Sequence, residues 1–104
     1  MSDRTSPAFN EVIHSPARLR VCGLLRWVSE LEFAVVRDTL GLSDATLSKN
    51  LRVLAEAGFV TMRKERSPVR ADSRRLTWVA LTPAGRSALE AHLAALAQIA
   101  DGLS

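Results

Sequence analysis

Apolar residues recur along this chain with two different periods, and the changes of period mark its elements. After Ser15-Pro16, a capping serine followed by proline at a first helical position, Val21, Leu24, Leu25 and Val28 fall on one stripe at helical spacing. Arg18 and Arg26 lie away from that stripe, and Trp27 borders it. A short extended segment is expected around residues 30–32. Phe33, Val36 and Leu40 then mark a second, shorter helix that Gly41 terminates. Ser43 caps a third, with Asp44 in its first turn complementing the helix dipole; Leu47, Leu51 and Leu54 form its inward face and Gly58 ends it.

After Gly58 the period changes from helical to extended. Residues 59–62 and 76–81 read as strands, joined by a charged loop over 63–75 that is too polar to be buried. Thr82-Pro83 repeats the cap-plus-proline start, and the last helix carries Leu89, Leu93, Leu96, then Ile99 or Ala100, and Leu103 on one side. The turn between the second and third helices is only Gly41-Leu42-Ser43, the short glycine-containing link of a helix-turn-helix. The order is helix, short strand, helix, helix, strand, wing, strand, helix. The expected fold is therefore mainly α with a small β-hairpin: a winged helix-turn-helix core over residues 8–82 with an added C-terminal dimerisation helix over 83–101.

With 104 residues the chain is one domain by size, and 47% apolar with 24% charged residues is ordinary for a globular protein. Its one cysteine, Cys22, can form neither an intrachain disulfide nor a cysteine-rich zinc site, and its neighbours Val21, Leu24 and Leu25 mark it as a small buried hydrophobe. His14 and His92 are the only histidines, and neither shares metal-ligand spacing with Cys22 or a carboxylate. His14 reads as a helix-entry or interface residue, and His92, beside the leucine stripe, as exposed or interfacial. No glycine-rich phosphate loop or nucleophile elbow is present. Neither an enzyme nor a required metal or cofactor is expected. With no secretion signal and no membrane-length apolar run, the expected location is cytoplasmic.

Charge adds what hydropathy leaves out. Between Lys49 and Arg75, eight basic residues stand against three acidic ones, so this quarter of the chain carries +5 while the rest carries −2. A patch so concentrated suits a polyanion.

The segments Val12-Ile13-His14-Ser15-Pro16-Ala17-Arg18-Leu19, Glu32-Phe33 and Leu47-Ser48-Lys49-Asn50-Leu51 resemble the small winged-helix transcriptional regulators grouped near the MarR family. Leu54-Ala55-Glu56-Ala57-Gly58-Phe59-Val60 and Leu81-Thr82-Pro83-Ala84-Gly85-Arg86 extend the likeness over roughly residues 9–97. Two departures stand out: Asn50 sits where relatives commonly carry histidine, and Val69-Arg70-Ala71-Asp72 in the wing matches only in charge. The resemblance implies a homodimer that places the third helix, about 44–57, in the major groove of duplex DNA and the wing on the backbone or minor groove.

Helical geometry then selects the residues. With the three leucines inward, Ala45, Lys49, Arg52, Val53 and Glu56 turn outward, flanked by Thr46 and Ser48. Thr46, Ser48 and Lys49 lie near the helix N-terminus, the end that meets base edges, and Arg52 is placed to anchor a phosphate. Lys64, Arg66, Arg70, Arg74 and Arg75 would serve the wing; alternation leaves open which of Arg63 and Lys64 faces DNA. Leu89, Leu93 and Leu96, with Phe9, Val12 and Ile13, are the expected dimer surface, against the simpler reading that they close the monomer core. A small-molecule effector, if there is one, would bind at the dimer interface or between the core and the last helix. The competing function is a winged-helix protein-interaction module without specific DNA binding, against which the basic segment argues.

Overall fold

The computed structural model describes residues 6–66 and 75–102. Helix α1 (Pro16–Leu25) is followed by strand β1 (Leu31–Glu32), helices α2 (Phe33–Leu40) and α3 (Asp44–Glu56), strands β2 (Val60–Arg66) and β3 (Arg75–Leu81), and helix α4 (Pro83–Ala100). The caps fall where the side-chain chemistry placed them. Ser15, Ser43 and Thr82 each accept a hydrogen bond from a first-turn backbone N–H, of Arg18, Thr46 and Gly85 respectively. Gly41 ends α2 at φ 66°, a left-handed conformation open to glycine at little cost.

The three strands form an antiparallel sheet in the order β1-β3-β2. Leu31 pairs with Val79 on one edge of β3, and Met62 with the same Val79 on the other. The two long strands run further than their apolar residues suggest: the ladder continues through Arg63, Lys64 and Glu65 to the pair Arg66–Arg75. The expected loop over 63–75 is corrected accordingly, since ladder hydrogen bonds need only backbone and let the hairpin persist beyond the core.

Ile13, Val21, Cys22, Leu25, Val36, Leu47, Leu51, Leu54, Val79 and Leu89 are fully enclosed and draw every helix and the sheet into one core. Two parts of the expected first stripe fall outside it. Helix α1 stops at Leu25, so Val28 lies beyond its last turn and is partly exposed, while Trp27 is 75% exposed under the Arg26 guanidinium. Arg18 is not solvated: it is half-buried and donates to the Val12 carbonyl and to Asn50.

Cys22 is enclosed as expected, and burial pushes its thiol up to about 11, with the Arg18 charge pulling part of the way back. The native thiol is therefore expected to resist a disulfide reagent at mildly alkaline pH and to react at once on unfolding, which a thiol-release assay reads directly. Because the folded value lies above the unfolded 9.0, the contribution to stability is complete below that pH and is lost as pH rises through about 11.

The segments around Gly58 and Gly85 lock together. Thr82 donates its backbone N–H to the Phe59 carbonyl and its hydroxyl to the Gly58 carbonyl, so the end of α3 and the start of α4 share a corner. Gly85 sits against this corner with no room for a side chain: an added Cβ would run into the Phe59 carbonyl oxygen and would come within 2.9 Å of Leu81 Cδ1.

Candidate nucleic-acid interface

Helix α3 turns its leucines into the core and leaves Ala45, Thr46, Ser48, Lys49, Arg52 and Glu56 exposed, while Val53 is half-buried. The helical spacing of the sequence thus resolves the two faces, because burying three leucines on one side fixes the rotation of the whole helix. Among the described residues, Lys49 and Arg52 make no ion pair, so both cations stand open to solvent. Thr46 is partly occupied: its N–H donates to Ser43 Oγ at 3.1 Å and its hydroxyl accepts from Ser43 at 2.9 Å. Asp44, the one acid in the first turn of α3, is paired with Arg37 at 2.8 Å, which reduces its repulsion of an approaching anion.

Asn50 belongs to the protein interior. It is only 6% exposed, accepts from Arg18 at 3.0 Å, and donates to the Thr46 carbonyl one turn back. Arg18 in turn holds Val12, so a chain of hydrogen bonds runs from the N-terminal segment through α1 into α3. Sequence reasoning left this residue's role open; the signal is its place on the edge of the leucine stripe, three residues after Leu47 and four before Leu54, where a polar side chain must find a partner.

The hairpin settles which of Arg63 and Lys64 faces α3. Met62, Lys64 and Thr77 share the face turned to α3, as the Lys64–Thr77 register pair and alternation require. Arg63 lies on the other face, where Glu30 at 2.7 Å and Glu65 at 3.2 Å hold it beside the Trp78 ring. Lys64 is therefore the hairpin cation that faces α3 among the described residues, and Arg63 is committed to bracing the sheet. Arg66 and Arg75 form the last rung of the ladder; Arg70 and Arg74 lie outside the described residues.

Between α3 and the hairpin opens a cleft of about 650 Å³, with Phe33, Leu51 and Met62 on its apolar side and Ser48, Arg52 and Lys64 among its polar lining. It lies beside the exposed face of α3. Met62 is 45% exposed there; the sequence pattern put Phe33 on the second helix and Met62 in a strand but did not bring them together, because their shared position depends on how the hairpin folds over α3.

The expected dimer residues separate into two groups. Ile13 and Leu89 are fully enclosed in the core of the single chain, and Val12 and Leu93 are half-buried against it. Ile13 and Leu89 thus fasten the N-terminal segment and α4 to the body and cannot present a surface to a partner. Phe9 at 47% is exposed and Leu96 is intermediate; Ile99, outside the expected set, is 52% exposed on the same helix as Leu96. His92, expected at a surface, is fully buried.

Residues 17–100 match the family model described as a winged helix DNA-binding domain. The chain belongs to that family. An uncharacterized protein of Methanocaldococcus jannaschii is 27% identical over 93 residues, which span 89% of this chain and 97% of the relative. Among solved structures, the transcriptional regulator homologue from Pyrococcus horikoshii superposes with a TM-score of 0.78 at 28% identity, covering 91% of this chain and 90% of that one. A MarR-family regulator from Silicibacter pomeroyi gives 0.58 at 25% identity, covering 89% of this chain and 62% of that one. The resemblance stated from the sequence is thus borne out, and with it the winged-helix fold; these regulators are not enzymes. No helix among the described residues is long and apolar enough to cross a membrane.

Proposed function

We propose that this winged-helix protein is a sequence-specific transcriptional regulator that reads duplex DNA as a homodimer. The observation that carries the reading is the exposed pair Lys49 and Arg52 on α3, with Lys64 of the hairpin lining a cleft together with Arg52. Helix α3 enters the major groove, where Thr46, Ser48 and Lys49 meet base edges and Arg52 meets a phosphate. The hairpin follows the backbone or minor groove through Lys64 and, by charge, Arg66, Arg70, Arg74 and Arg75.

Phe9, Val12, Leu93, Leu96 and Ile99 would form the dimer face, since Phe9 and Ile99 are exposed and the other three keep part of their surface outside the core. Two reading helices about one DNA turn apart then recognise a near-palindrome.

The test is an anisotropy titration with labelled duplex from the region upstream of the coding sequence and with a scrambled duplex, at two salt concentrations. Affinity that falls steeply with salt, with the upstream duplex preferred by about 10³ or more, is the expected result. Equal binding of both duplexes would place the operator elsewhere. No binding of either at low salt would overturn the reading and leave the basic hairpin to a protein partner.

A further inference from the structure

Three aromatic rings close the N-terminal segment onto α4. The Phe9 centroid lies 4.6 Å from that of His14 and 4.8 Å from that of His92, and the two imidazoles are 5.2 Å apart, edge to face. The backbone N–H of Asn10 donates to His92 Nδ1 at 2.9 Å, and His92 Nε2 lies 3.3 Å from His14 Nδ1. Two further hydrogen bonds secure the segment: Ala8 N–H to the Ala91 carbonyl at 3.0 Å, and Ile13 N–H to Asn10 Oδ1 at 3.1 Å.

The proton count of this arrangement is determined. A backbone N–H only donates, so His92 Nδ1 must carry a lone pair, and a neutral His92 keeps its proton on Nε2. That proton is donated to His14 Nδ1, which must then be unprotonated as well. Both rings are neutral when every contact is made. A proton added to His92 goes to Nδ1 and confronts the Asn10 N–H; one added to His14 Nδ1 confronts the His92 Nε2–H. Neither ring can change tautomer to escape, since the Asn10 bond holds His92 in one form.

We propose that the His14–His92 pair is an acid-sensitive latch that holds residues 8–14, and with them Phe9, against α4. On protonation the segment lifts from Ala8 to Asn10, while Ile13 stays anchored in the core. Burial, then the neighbouring His14 charge, holds His92 below its ordinary value, so the closed form resists protonation and opens when acid overcomes that resistance. The direction follows: the latch is complete above the ordinary histidine range near 6.5 and is lost as pH falls from there towards the depressed value of His92. The surrounding charges leave the pair to itself. Glu11 on the segment and Glu90 on α4 are exposed, Arg18 of α1 is committed to Val12 and Asn50, the buried Cys22 thiol of α1 is neutral in this range, and no carboxylate among the described residues pairs with either imidazole. Because Phe9 belongs to the proposed dimer face, opening also removes part of that face; this consequence rests on the dimer reading, whereas the latch does not.

Amide exchange of the intact protein tests the latch, after correction for intrinsic rates. Between about pH 7.5 and about pH 5.5, protection at Ala8 and Asn10 is expected to fall about 10-fold or more, while Val21 and Leu51 keep theirs. His92→Leu removes both ring nitrogens and should leave the two amides at their acid level at every pH. Since position 92 is buried, His14→Phe serves as the second variant: it retains a ring on an exposed site and removes the acceptor facing His92 Nε2, so protection at Ala8 and Asn10 should fall below wild type already at about pH 7.5. Protection at Ala8 and Asn10 that persists to about pH 5.5, or that is lost only together with Val21 and Leu51, would overturn the proposal. Sedimentation at the two pH values separates the readings: a dimer that dissociates in acid supports both, and a monomer at both pH values with the amide change intact upholds the latch and rejects the dimer.

Discussion

Replacing Lys49 by Ala is expected to weaken binding to the specific duplex by about 1–3 kcal/mol, roughly 5- to 150-fold, and to relax the sequence preference. Replacing Arg52 by Ala should act differently. It should weaken specific and scrambled duplexes alike and lower the salt dependence by about one counterion, because a phosphate contact carries no sequence information. The double variant should then approach non-specific affinity. Both side chains are exposed and neither has an ion-pair partner among the described residues, so the melting temperature should stay within the small range of ordinary surface changes. Anisotropy titrations of the three variants at two salt concentrations, with thermal melts as controls, read both effects. Unchanged DNA binding in the double variant would remove α3 from the interface.

Gly85→Ala is expected to be the most damaging single-methyl change in the chain. The new Cβ collides with the Phe59 carbonyl, and that carbonyl is held in place by the Thr82 N–H at 3.0 Å. Backbone has little freedom to yield, so either the corner opens or α4 shifts along the core. Overpacking costs about 1–3 kcal/mol where side chains can adjust, and this site belongs at or above the top of that range. For a domain of this size that is a fall in melting temperature of roughly 10–20 °C. Gly23→Ala in α1 is the matching control: nothing lies within 4 Å of its Cβ, and alanine in a helix interior should stabilise by about 0.5–1 kcal/mol. A Gly85→Ala protein that melts with the wild type would refute the packed corner.

Much of this protein was legible before folding. The serine and threonine caps, the prolines behind two of them and Gly41 are local features whose hydrogen bonds close within a few residues, so Ser15, Ser43 and Thr82 mark the helix starts without any knowledge of the rest. The inward face of α3 was equally legible, since three leucines at helical spacing leave one rotation that buries them all, and Lys49 and Arg52 follow on the other side. Charge density located the hairpin as the second basic element.

What remained undecided depended on contacts between distant parts of the chain. Alternation puts Arg63 and Lys64 on opposite faces, but only the packing of β2 against α3, and the reach of Glu30 across the sheet, assigns Lys64 to the cleft and Arg63 to a brace. The apolar residues of α4 and the N-terminal segment look alike in a sequence whether they close a core or await a partner. Tertiary structure enclosed Ile13 and Leu89 and left Phe9 and Ile99 outside, because one side of a terminal helix is enough to cover so small a body. Asn50 and His92 carry the same lesson for polar groups. Each sits on an apolar stripe, and each is tolerated there because a group far along the chain, Arg18 for one and the Asn10 backbone with His14 for the other, arrives to complete its hydrogen bonds. Local sequence determines which elements form and which way they face; the long-range partners that make burial of a polar side chain affordable exist only once the chain has closed on itself.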